Sequence, residues 1–316
     1  MQKKLLRGIS LVCFFALSLM PSFAEDASST TTPVQMTVTL RLQGKNKRMP
    51  EVSREDIIVR QGKERVQVTG WTPVGSERAP LDLFILIDDA ARTTLSSQFG
   101  DLREFILSLP NTTSVGVGYM RNGTTQVAQE LTTNHQQAAN ALRIPLGSPG
   151  VFGSPYLSAI DLMKRWPETQ NRREIVMITD GIDRLHRWPH RHGFASISPD
   201  VDSASAVAQH TGTIIHGIYT RGVGSRANNF WEVANGQNAI AKLADETGGE
   251  SFFLGMHDPV SFRPYLDTLQ RSLGNRYRLE FNAVVGKKSG LQTVRLTTEV
   301  AGVELDSADS VWVAAN

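Results

Sequence analysis

Residues 34–42, VQMTVTLRL, alternate cleanly: Val34, Met36, Val38, Leu40 and Leu42 share one side. A period of two predicts a half-buried strand. Residues 55–74, EDIIVRQGKERVQVTGWTPV, predict two short strands around a Gln61-Gly62-Lys63 hairpin turn. From about residue 80 the pattern changes. LDLFILID, SVGVGYM, REIVMITDG, TIIHGIYT and ESFFLG are strand-like runs, most of them continuously apolar. Between them, SSQFGDLREFILSLP, SPYLSAIDLMKRW, SASAVAQHTG, AIAKLADETGG and DPVSFRPYLDTLQRSLG read as helices. NHQQAANALRIP is a further helix with an N-cap at Asn134, and TQVAQEL a further strand. Continuous apolar strands alternating with helices predict an α/β fold, a mostly parallel, doubly wound sheet covered on both faces. From residue 276 the period returns to two, in RYRLEFNAV, LQTVRLTTEV and DSVWVAA. Each β-rich flank alone is too small to bury a core, so the two are expected to pack together.

The first 24 residues change the picture of compartment and charge. Lys3, Lys4 and Arg7 precede an apolar stretch from about Ile9 to Met20, and Ser22-Phe23-Ala24 is a small-x-small site. This pattern predicts a cleavable signal peptide, cut after Ala24, and a secreted or periplasmic protein. Cleavage removes three bases and no acid, so the formal charge of +2 becomes −1. That balance gives no electrostatic case for nucleic acid. The single cysteine, Cys13, lies in the leader, so the mature chain must be stabilised by its core. No later stretch is apolar enough to span a membrane. The expected organisation is a leader over 1–24, a linker over 25–33, an N-terminal β-rich flank over 34–77, the α/β unit over 78–273, and a C-terminal strand flank over 274–316.

In an open α/β sheet, ligands bind beyond the carboxyl ends of the strands. Two strands end there in acid, FILIDD and VMITDG, and PGVFGSPYLSAI places Ser154 just before a helix. Asp88, Ser154 and Asp180 are therefore expected to converge. With these motifs in this order, residues 80–272 resemble a von Willebrand factor A (VWA) domain, and the strand-rich flanks are similar to those of secreted VWA-related proteins of Acidobacteria. The resemblance implies a metal-ion-dependent adhesion site for Mg²⁺ or Mn²⁺, with Asp88 and Asp180 on the motif carboxylates and Ser154 on the motif threonine. It also implies a protein ligand. The first motif departs from the family, because Ala90 and Arg92 stand where the family has two metal-ligating serines. Ala90 offers no oxygen and Arg92 brings a permanent charge, so metal binding is expected to be weak or lost, even with Asp89 or Asp183 as further carboxylates. Arg92 then has two readings: a built-in cation pairing with Asp88 and Asp180, or a side chain pointing to solvent.

DRLHRWPHRHGF, residues 183–194, is the other chemically loaded stretch. His186, His190 and His192 match no standard zinc spacing. Arg and Trp are enriched at interface hot spots, so Arg92, His186, Arg187, Trp188 and His190 are the expected partner-binding residues. No nucleophile elbow, His-Glu-x-x-His or phosphate loop occurs, and the leading expectation is a non-enzymatic binding module. The alternatives are a structural or assembly subunit acting through its β flanks, and a metal-assisted hydrolase using His186, His190 and His192.

Overall fold

The run Leu81–Asp88 is buried at all eight positions, as a strand must be when both faces of its sheet are covered. In the computed structural model, residues 30–43, 48–75, 78–148, 150, 153–186 and 197–315 are described. The elements run β1 (Thr31–Leu42), β2 (Ile57–Gln61), β3 (Glu64–Val66), β4 (Val68–Pro73), β5 (Leu81–Asp88), α1 (Phe99–Ser108), β6 (Thr113–Arg121), β7 (Thr124–Thr132), α2 (His135–Asn140) and α3 (Pro155–Arg165). They continue β8 (Arg172–Thr179), α4 (Pro199–Thr211), β9 (Thr213–Tyr219), α5 (Phe230–Thr247), β10 (Ser251–Phe252), α6 (Arg263–Gly274), β11 (Arg276–Val284), β12 (Gly290–Thr298), β13 (Val303–Ser307) and β14 (Ser310–Val313).

The central sheet has the order β10-β9-β8-β5-β6-β7. Every pairing is parallel except β6 with the edge strand β7. Successive β5 residues face opposite layers. Leu83, Ile85 and Ile87 pack with α1, α2 and α6, whereas Phe84 and Leu86 pack with α3, α4 and α5. The chain runs outward from β5 to β6 on one side and returns to β8 on the other. The carboxyl ends of β5 and β8 therefore flank the point where the winding reverses, where such sheets leave a crevice.

The flanks form two four-stranded antiparallel sheets, β13-β1-β11-β4 and β14-β12-β2-β3, around one core that includes Val38, Leu40, Val59, Leu279, Phe281 and Val294. Three local expectations need correction. Residues 55–74 hold three strands: β2 and β3 make the hairpin, and β4 crosses to the other sheet to pair with β11. Val66 and Val68 keep the alternation unbroken through Gln67, so the pattern does not mark the crossover. β1 begins at Thr31, inside the expected linker, because Thr31–Pro33 pair with Asn282–Val284. Helix α5 begins at Phe230, nine residues before the apolar run that predicted it. Asn229 caps it by accepting from the backbone N–H of Trp231 and Glu232.

A buried charge cluster ties the sandwich to the central sheet. Glu174 on β8 is fully buried, 3.0 Å from Arg276 of β11 and 3.2 Å from Arg172. Its carboxylate also lies 2.9 Å from His216 Nε2, while His216 Nδ1 accepts from the Glu250 N–H, so Nε2 carries the hydrogen. His216 is thus a fully buried strand residue with both ring nitrogens satisfied. Burial pushes the Glu174 carboxyl up, but Arg276, His216 and Arg172 outweigh it and hold the pKa at about 2. Among the described residues, no helix is long and apolar enough to cross a membrane.

Candidate functional site

Asp88 ends β5 and is 4% exposed. One carboxylate oxygen accepts from the Ala90 N–H at 2.7 Å, the other from the Thr179 hydroxyl at 2.7 Å. Ala90 and Arg92, on the motif-serine positions, lie on a segment zipped to the loop after β9. Ala91 bridges Gly222, Arg92 N–H donates to Arg221 O, and Val223 N–H donates to Ala90 O.

Asp180 follows β8 and is 1% exposed. Both of its oxygens are taken by Arg184: Nη1 donates to Oδ1 at 3.1 Å and Nη2 to Oδ2. Oδ1 also accepts from the Ile182 N–H at 3.0 Å. Two glycines make room for this pairing. A Cβ on Gly222 would fall 1.8 Å from Asp180 Oδ2 and 2.6 Å from Arg184 Nη2. A Cβ on Gly236 would fall 2.2 Å from the Asp180 carbonyl, which is why α5 carries glycine where it passes the site. Burial pushes the Asp88 pKa up, the neighbouring Asp180 charge adds to this, and Arg184, Thr179 and the Ala90 N–H oppose it; the result is about 6.

The built-in cation is therefore Arg184, not Arg92. Arg92 Nε donates to Gly222 O at 3.2 Å and Nη2 to Asn228 Oδ1 at 3.1 Å. It neither joins the acids nor points freely to solvent: the zipper between the two loops turns its stem toward the loop after β9. The sequence does hold a signal for Arg184, because Asp180 and Arg184 are four residues apart in a tight turn. Asp89 is also committed elsewhere, gripped by Arg143 at 2.7 and 2.9 Å and by the Leu146 N–H at 3.1 Å. Ser154 caps α3 and donates its hydroxyl to Asp200 at 2.9 Å.

This set does not fit Mg²⁺ or Mn²⁺ in the adhesion-site manner. Such an ion needs six oxygens in near-octahedral array. Asp88 and Ser154 hold internal partners, Asp180 is capped by a guanidinium, and Ala90 has no side-chain oxygen. The cavity bounded by Asp88, Ser154 and Arg184 is about 10 Å³, the room of a single water.

A second cluster lies in the same loop. Asp183 accepts from the N–H groups of Leu185 and His186, from the Ser198 hydroxyl, and from His186 Nδ1 at 2.8 Å. That hydrogen bond raises the His186 pKa. Arg187, Trp188, His190 and His192 lie outside the described residues.

No family model matches the chain, and no curated protein matches it. Solved structures to which the chain is similar include VWA-domain proteins. The ArnB paralog VWA2 from Sulfolobus acidocaldarius is 9% identical, with 90% of this chain and 76% of that chain covered, at a TM-score of 0.40. The VWA domain of SpRpn10 is 13% identical, with 62% and 97% covered, at 0.38. The conserved hypothetical protein BatB from Bacteroides thetaiotaomicron is 13% identical, with 61% and 97% covered, at 0.43.

Proposed function

We propose that this chain is an exported, non-enzymatic VWA-type interaction module. It docks a protein partner on the loops at the carboxyl end of its central sheet, around a degenerate adhesion site in which Arg184 replaces the metal. One observation carries the reading. Among the described residues, eight of the eleven exposed large hydrophobic side chains lie on those loops or on the first turn of the helix one of them enters. Ile144 and Leu146 follow α2, Leu185 follows β8, and Phe230 and Trp231 open α5. Phe253, Leu254 and Val260, the last 97% exposed, lie between β10 and α6. Concentrated exposed apolar surface of this kind marks interaction sites. Arg92 and Arg221, both held by Asn228, supply polar groups on the same loops. With Asp180 already neutralised, docking needs no Mg²⁺ or Mn²⁺.

A photoreactive residue at Trp231 or Leu254, introduced in the producing cell, tests this. The expected result is one shared protein adduct from both positions, unchanged by a chelator, and none from Leu107 at the far end of α1. Adducts from Trp312 of the sandwich but none from the loops would favour an assembly subunit instead. Amino-terminal sequencing of the exported protein checks cleavage after Ala24.

A further inference from the structure

The turn after Asp183 folds His186 back so that its Nδ1 lies 2.8 Å from Asp183 Oδ2 and 3.7 Å from Asp200 Oδ2. One ligand atom from each of the three residues lies within 4.8 Å of the other two. We propose that Asp183, His186 and Asp200 form a binding site for a borderline divalent transition ion of the Zn²⁺ class, separate from the Asp88/Asp180 pair. The ligands are His186 Nδ1 and one oxygen of each carboxylate.

Four features support it. A four-coordinate Zn²⁺ with bonds of about 2.0–2.1 Å holds neighbouring ligand atoms roughly 3.3 Å apart, and the separations of 2.8 and 3.7 Å from Nδ1 straddle that value. One imidazole and two carboxylates suit Zn²⁺, whereas Mg²⁺ seeks oxygen alone. The carboxylates are already oriented by outer partners: Ser198 donates to Asp183, and Ser154 donates to Asp200. Such second-layer hydrogen bonds fix metal ligands in place. Finally, the acids are inward, with side chains 5% and 13% exposed, while His186 is the most exposed of the three at 37%. Three protein ligands leave a fourth position for water. A bound ion would tie the loop after β8 to the first turn of α4. This inference stands apart from the docking reading, because neither residue set depends on the other.

The test is calorimetric titration of Zn²⁺ into the tag-free mature chain, with Co²⁺ absorption reporting coordination. The expected result is one Zn²⁺ per chain, a four-coordinate Co²⁺ spectrum, and a Zn²⁺-dependent rise in the melting temperature. His186→Ala and Asp200→Asn should each weaken binding by more than the roughly 10–100-fold that loss of an outer-layer partner costs. Asp88→Asn and the double variant His190→Ala/His192→Ala should leave it unchanged. Both ligand variants are checked for parental circular dichroism, and the surface position of His186 makes it the safer of the two. The proposal is overturned if no saturable Zn²⁺ binding occurs, if it survives both ligand substitutions, or if only the His190/His192 variant removes it.

Discussion

Replacing Arg184 with methionine asks directly what neutralises the acids at the head of the sheet. Methionine keeps most of the length and the apolar stem and removes only the charged fork. The guanidinium is 11% exposed and serves both oxygens of Asp180 as well as Ile182 O at 3.2 Å. Without it, a 1%-exposed carboxylate stands beside Asp88, whose pKa is already about 6 with the guanidinium present. Removing one partner of a buried ion pair costs about 3–5 kcal/mol. Asp88 gives an independent scale: moving its pKa from 3.8 to about 6 corresponds to about 3 kcal/mol. The sign follows from linkage. A carboxyl with a raised folded pKa contributes stability that is complete below 3.8 and lost as pH rises through about 6. Taking the cation away enlarges that effect, because a proton becomes the cheapest remaining neutraliser. Urea unfolding of the mature chain, followed by tryptophan fluorescence, should show the variant less stable by about 3–5 kcal/mol at pH 8, and by half of that or less at pH 5. A loss below about 1 kcal/mol at pH 8, the range of an exposed pair, would refute the reasoning. So would an equal loss at both pH values.

The same geometry predicts three further outcomes. Asp88→Asn mimics the protonated acid, so it should raise stability at pH 8 by about 1–2 kcal/mol, the about 3 kcal/mol scale less a weakened hydrogen bond to Thr179; denaturation from pH 4 to 7 should become flatter. Gly222→Ala places a methyl on the Asp180–Arg184 pair and should cost about 1–3 kcal/mol. In the Arg184→Met background its cost should be clearly smaller, a coupling that a double-mutant cycle measures. Glu174→Gln strips the shared partner from Arg276 and Arg172 and should cost about 3–5 kcal/mol at pH 7. Because the Glu174 pKa is depressed from 4.5 to about 2, that difference should be full above 4.5 and close as pH falls toward 2, as acid-denaturation midpoints would record.

Legibility in the sequence tracks how local each interaction is. β5 and β8 are readable because their apolar runs, residues 83–87 and 175–178, are covered by helices on both faces and leave no polar alternation, and the acids just past them fall at the crevice for the same reason. The first half of α5 is not readable. Its residues FWEVANGQN present aromatics to solvent, with Phe230 56% and Trp231 54% exposed, and place Gly236 against the site loop. That is the reverse of an amphipathic helix. The identity of the internal cation fails more subtly. Arg92 and Arg184 are both arginines just past a motif acid, and only the zipper between Ala90–Arg92 and Arg221–Val223, formed by residues 129 to 133 positions apart, turns Arg92 away.

The buried acids at the two ends of the sheet are neutralised in different ways, and this bears on what the flanks are for. Near the crevice, Asp180 finds its cation four residues along the same turn, so the pair forms wherever that turn forms. Glu174 has Arg172 two residues away, but its other arginine, Arg276, comes from the first residue of β11, 102 positions later. Arg276 also donates to Thr39 on β1, so the contact exists only when both sandwich strands are in place. The periodicity change near residue 274 is a boundary in pattern, yet the electrostatic unit crosses it. An α/β piece cut at that boundary would keep every helix that covers its sheet and still leave Glu174 with one of its two arginines missing. By this argument the sandwich is part of what stabilises the central sheet, whatever further surface it offers.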